Sequence, residues 1–92
     1  MQPLITRQNV RIATGSSDEH GVLFFANDSL VAIIVCLSEP SHGHMKGRWF
    51  LEARFGTLSY ARAPETFGDV DAAEQWLIAH VRPLSFPGPN GN

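Results

Sequence analysis

Residues 30–37 read LVAIIVCL, an uninterrupted apolar run near the middle of a 92-residue chain. The run is too short for a typical helix, and its β-branched residues favour a strand. Because both faces of such a strand are apolar, we predict a central strand that is covered on both sides. The run is also too short to span a bilayer, so we expect no membrane partner.

A second strand and a turn come directly before this run. Residues 22–26, VLFFA, are rich in β-branched and aromatic residues, and Asn27-Asp28-Ser29 separates them from the central strand. Asn and Asp favour tight turns because they tolerate positive φ and bond to their own backbone. The pattern therefore predicts a β-hairpin over residues 22–37.

Residues 48–55, RWFLEARF, alternate in a way that is typical of a strand with one buried face. The predicted inward row is Trp49, Leu51, Ala53 and Phe55. The predicted outward row is Arg48, Phe50, Glu52 and Arg54. Weaker patterns leave open an N-terminal edge strand near residues 10–13 and a fourth short strand near residues 58–60.

The C-terminal part of the chain has the pattern of an amphipathic helix. Asp69 is a favourable N-cap, and Pro83 stops the helix. One face of the helical wheel carries Val70, Ala73, Trp76, Leu77 and Val81. Since the third strand also has one apolar row, we expect the helix to pack against that row.

The predicted fold class is therefore α+β, an antiparallel β-meander of three to four strands packed on one C-terminal α-helix. Residues 1–82 would form a single domain, and residues 83–92, rich in proline and glycine, a flexible C-terminal tail. The expected contact joins Ala73, Trp76 and Leu77 of the helix to Trp49, Leu51 and Phe55 of the third strand.

Charge and cysteine content limit the classes of function. The formal net charge is −2 and the isoelectric point is near 6.0, which gives no general attraction to nucleic acid or anionic lipid. The single cysteine, Cys36, cannot form an internal disulfide, and the N-terminal residues lack the pattern of a signal peptide. We therefore expect a cytoplasmic location.

The histidines are the candidates for a metal or catalytic site. His42 and His44 flank Gly43 in a loop after Cys36, but their spacing does not match a known zinc motif. His80 falls near the apolar face of the helix, where a carbonyl group or water would satisfy it. Because no motif of a catalytic nucleophile or phosphate-binding loop is present, we expect no enzymatic activity, no metal and no cofactor.

The outward row of the third strand is the candidate interaction face. Arg48, Phe50 and Arg54 combine positive charge with an aromatic ring, as in a sheet surface that contacts nucleic acid. The spacing Phe67-x5-Ala73-x2-Trp76, with Trp49 early in the third strand, resembles the N-terminal DNA-binding domains of phage integrases over about half of the chain. The resemblance implies a DNA-binding accessory domain, although those domains carry more lysine on the sheet than this chain, which has only Lys46.

A protein partner is the other interpretation of the same face. One helix covers one face of a sheet, so the second apolar face of the central strand requires either the N-terminal segment or a second copy of the protein. The leading prediction is a small non-enzymatic cytoplasmic protein that acts through protein–protein contacts and self-association. DNA binding through Arg48, Phe50 and Arg54 is the alternative.

Overall fold

A computed structural model of the chain describes residues 3–81, apart from residues 14, 16, 17 and 39 and the side chains of Pro40 and His42. Within these residues the chain forms an antiparallel β-meander followed by one C-terminal α-helix, which confirms the predicted α+β class. The tail predicted over residues 83–92 lies outside the described residues, so the domain limits stay a prediction.

The strands lie side by side in the order in which they occur in the chain, and each pairs antiparallel with the next. They are β1 (Ile5–Arg11), β2 (His20–Ala26), β3 (Ser29–Cys36), β4 (Trp49–Arg54) and β5 (Thr66–Phe67). The predicted hairpin is β2 and β3, and Asn27 in its turn has the expected positive φ of 56°. Ile5–Arg11 thus form an edge strand, longer than predicted, and do not fold over the second face of the sheet.

The fourth strand predicted near residues 58–60 is wrong. Gly56–Tyr60 form a short 3-10 helix in which Leu58 is fully buried. Gly56 has a φ of 64°, which favours glycine and turns the chain away from the direction of β4. The segment has one buried side chain, Leu58, and lacks the alternation of buried and exposed residues that a strand would show. The next strand begins only at Thr66.

The helix α1 (Val70–His80) begins where the sequence predicts. The side chain of Asp69 accepts a hydrogen bond of 2.7 Å from the backbone N–H of Ala72, which satisfies one free donor of the first turn. The helix ends at His80, because Val81 is already extended. No helix among the described residues is long and apolar enough to cross a membrane.

The core lies between α1 and one face of the sheet, called here the helix face. Its buried side chains include Val22, Phe24, Ala26, Ala32, Ile34, Leu58, Phe67, Ala73 and Leu77. Trp49, Leu51 and Trp76 are half-buried and pack against this core. The prediction that the helix packs on the sheet face that carries Trp49 and Leu51 is therefore confirmed.

The prediction that Phe55 belongs to the same row is wrong, since its side chain is 44% exposed. Leu51 pairs with Ile34, whereas Ala53 pairs with Ile33, so β4 has one residue more than β3 at this point. Glu52 is the extra residue of this β-bulge. A bulge shifts the alternation of a strand by one residue, and the side chains that follow change face.

Candidate interaction face

The sheet has a second face, directed away from α1 and called here the outer face. Residues that pair across antiparallel strands point to the same side, so the register defines the members of this face. They include Val10, Leu23, Phe25, Leu30, Ile33, Val35, Phe50 and Ala53. Phe50 is 37% exposed, Val35 is buried, and the others are half-buried. The outer face is thus predominantly apolar, and α1 does not cover it.

The strand positions that pair across the outer face carry no charge. Each residue that the register pairs on it is apolar, apart from Thr6, Gln8 and Thr66, and none has an ionisable side chain. The arginines of β1 belong to the opposite face, because Arg7 pairs with the core residue Phe24 and reaches Asp71 of α1 at 2.9 Å. Burial of these paired positions by a partner would therefore carry no desolvation cost for charge, whereas charged side chains such as Arg48 and Glu65 border them near β5.

The interaction residues predicted from the sequence do not form one row. Arg48 borders the outer face, and its Nε donates a hydrogen bond of 2.6 Å to the hydroxyl oxygen of Thr66. Phe50 pairs with Val35 on the outer face. Arg54 pairs with Ala32 of the core, and its Nη1 donates to the carbonyl oxygen of Ala61 at 2.6 Å. Arg48 and Phe50 thus lie together through the normal alternation of a strand, and the bulge at Glu52 places Arg54 on the helix face.

A shallow groove continues the outer face beside Phe50. Leu37, Met45, Phe50, Glu65 and Thr66 line this space of about 290 Å³. Its walls are mostly apolar, and Glu65 supplies the one carboxylate among the residues that line it. The exposed Phe50 ring therefore lies between the open sheet surface and this groove, which has room for a side chain of a partner protein.

The opposite end of the outer face is closed by a local contact. A Cβ atom on Gly21 would overlap the side chain of Ile12, and it would lie 3.2 Å from the carbonyl oxygen of Ile34. Ile12 therefore lies directly over the Gly21 backbone, which explains why this glycine is buried. The open part of the outer face accordingly extends from Leu23 toward Phe50.

The histidines do not form a cluster in the described part of the chain. His44 is exposed, and the side chain of His42 lies outside the described residues. Cys36 is half-buried and pairs with Trp49, on the helix face. No group of three or more His, Cys, Asp or Glu side chains that could hold a metal ion occurs among the described residues. The expected lack of bound zinc stays a prediction, which elemental analysis of the purified protein would check.

The contacts of His80 are with Trp76, one turn earlier in α1. Its ring stacks on Trp76 with a centroid distance of 4.7 Å, and its Nδ1 lies 2.8 Å from the carbonyl oxygen of Trp76. The Trp76 indole N–H in turn donates to the Arg62 carbonyl oxygen at 3.3 Å. The sequence placed His80 near the apolar face with a carbonyl partner; the structure shows that partner but leaves the ring exposed.

Sequence reasoning found only part of the outer face. It identified the second apolar side of β3 and the position of Phe50, but it did not assign Leu23 and Phe25 to the same surface. The signal was present, since residues 22–26 are as continuously apolar as the central strand. Comparison of the chain with protein-family models, with curated proteins and with solved structures finds no match.

Proposed function

We propose that this is a small non-enzymatic cytoplasmic protein that acts through protein–protein contacts and self-association, with the outer face as its contact surface. The observation that carries the proposal is a sheet face that is predominantly apolar, has no charge at its paired positions, and has an exposed aromatic residue, Phe50, at its open end. The buried centre of a protein interface is likewise poor in charge and enriched in aromatic residues. Burial of this surface would remove apolar area from water, which favours association.

The test is capture of binding partners from native lysate of the source organism, followed by mass spectrometry. We expect Phe50→Asp to reduce the captured partner at least about tenfold, because it replaces an exposed aromatic ring of the contact with a charge that burial would desolvate. Tyr60→Asp is the matched control, since Tyr60 is 91% exposed and lies outside the sheet. Equal capture by Phe50→Asp and the unmodified protein, at equal thermal stability, would contradict the proposal.

The same surface argues against DNA as the partner. Nucleic-acid affinity comes largely from cations placed on phosphates, but the paired residues of the outer face carry none, and Arg48 is engaged by Thr66. We expect binding to duplex DNA weaker than about 10⁻⁵ M at physiological salt, in the range of non-specific contacts. Fluorescence anisotropy with labelled duplexes measures this. Tighter, sequence-dependent binding that is lost in Arg48→Ala would restore the DNA-binding alternative.

A further inference from the structure

The two edges of the sheet differ in a way that bears on self-association. At one edge β5 has only two residues, Thr66 and Phe67, and so offers little backbone to another strand. At the other edge β1 has seven residues, and its register with β2 runs from Ile5 to Arg11 without a shift. It contains no proline, lysine or bulge, the features that usually protect an edge strand.

The free backbone groups of this edge follow from the hydrogen bonds to β2. Ile12 N donates to the Glu19 carbonyl oxygen at 2.7 Å, and Asn27 N donates to the Leu4 carbonyl oxygen at 2.8 Å. Bonded pairs alternate along an antiparallel ladder, so the even-numbered residues of β1 are those that bond to β2. The N–H and C=O groups that point away from the sheet therefore belong to Ile5, Arg7, Asn9 and Arg11.

The charges at this edge are neutralised within the chain. Arg7 forms ion pairs with two carboxylates of α1: its Nη2 lies 2.9 Å from Oδ1 of Asp71, and its Nη1 lies 3.5 Å from Oε1 of Glu74. Arg11 lies 2.7 Å from Glu19. Arginines on an edge strand normally repel an approaching copy, but here each one has a carboxylate of its own. This removes a barrier that would otherwise act against strand-to-strand pairing.

From these observations we infer that two copies of the chain pair antiparallel through β1, about a twofold axis at Gln8, and form one continuous sheet. In this register Arg7 of one copy faces Asn9 of the other, and Ile5 faces Arg11, so all four outward residues take part. A shift by two residues in either direction would place arginine opposite arginine, either Arg7 against Arg7 or Arg7 against Arg11. Both the number of hydrogen bonds and the charge pattern therefore favour the same register.

The inference rests on the self-association in the proposed function, assigns it to the edge of β1, and leaves the outer face for contacts with other proteins. On the outer side of the joint, Thr6 of one copy would face Val10 of the other, and the two Gln8 side chains would meet at the axis. The outer faces of both copies then lie on the same side of one sheet. The dimer would present a partner with a single, predominantly apolar surface of twice the extent, and that surface remains open.

The test uses the direction of one backbone N–H. Because the N–H of Asn9 points outward, Asn9→Pro removes a donor from the edge without breaking a bond to β2. Asn9→Thr also loses the amide side chain but retains the N–H, so it is the matched control. In sedimentation velocity we expect the dimer dissociation constant to rise at least about tenfold in Asn9→Pro, and to stay within about twofold in Asn9→Thr.

Several other results would overturn the pairing of two copies through β1. A monomer at every concentration, or equal dimerisation by Asn9→Pro and the unmodified protein, would overturn the inference. Loss of the dimer in Phe50→Asp but not in Asn9→Pro would show face-to-face association, which overturns the edge pairing but retains the outer face as the contact surface. If β1 pairs with a strand of a different captured protein, and not with β1 of a second copy, the inference is likewise overturned.

Discussion

Phe24→Ala should lower the free energy of unfolding by about 3–5 kcal/mol, the usual cost of emptying an aromatic site in a core. Phe24 is fully buried in β2 and belongs to the core between the sheet and α1. The residue that pairs with it on β3 is Ala32, which is too small to fill the space that the ring would leave. Urea denaturation measures the change. For a domain of this size such a loss is a large part of the total stability.

The adjacent Phe25 is the matched control for this substitution. It has the same chemistry and lies in the same strand, but it points to the outer face and is half-buried. We expect Phe25→Ala to lower the free energy of unfolding by only about 1–2 kcal/mol, because folding removes less of the Phe25 ring than of the Phe24 ring from water. Equal costs for Phe24→Ala and Phe25→Ala would mean that the outer face is covered as completely as the core, against the proposed contact surface.

Leu77→Ala is the second substitution with a large expected effect, a loss of about 2–5 kcal/mol. Leu77 is 1% exposed and, with Ala73, is the part of α1 that is buried against the sheet. Because few other residues of the helix are buried, loss of this side chain should weaken the docking of α1 as a whole. Circular dichroism during denaturation would report the helix and the sheet together.

Gln75→Ala in the same helix provides the comparison. Gln75 is exposed, and alanine favours a helix slightly more than glutamine, so its stability should change by no more than about 0.5 kcal/mol. If Leu77→Ala costs as little as Gln75→Ala, the helix is not docked through this face, and the division between helix face and outer face would fail.

The sequence was sufficient for the parts of the fold that depend on periodicity. The run 30–37, the turn at Asn27 and the cap at Asp69 each have a local physical cause, and the structure shows each near its predicted position. Packing of α1 on the row with Trp49 and Leu51 also followed from two matching apolar patterns.

The remaining features depend on contacts that no local pattern contains. The bulge at Glu52 arises from the pairing of two strands, and it moved Arg54 away from Phe50. The length of β1 could not be predicted, because its residues are mostly polar and owe their conformation to pairing with β2. The ion pairs of Arg7 with α1 join residues that are far apart in sequence.

The central claim is that the outer face is open in the isolated protein and available to a partner. Ile33 and Ile34 test it most directly, because these neighbours in β3 point to opposite faces: Ile34 is fully buried in the core, and Ile33 is half-buried on the outer face. NMR of their methyl groups with a soluble paramagnetic probe measures how closely solvent approaches each side chain. We expect strong relaxation enhancement for Ile33 and little for Ile34. Equal protection of both methyl groups in dilute solution would contradict the account.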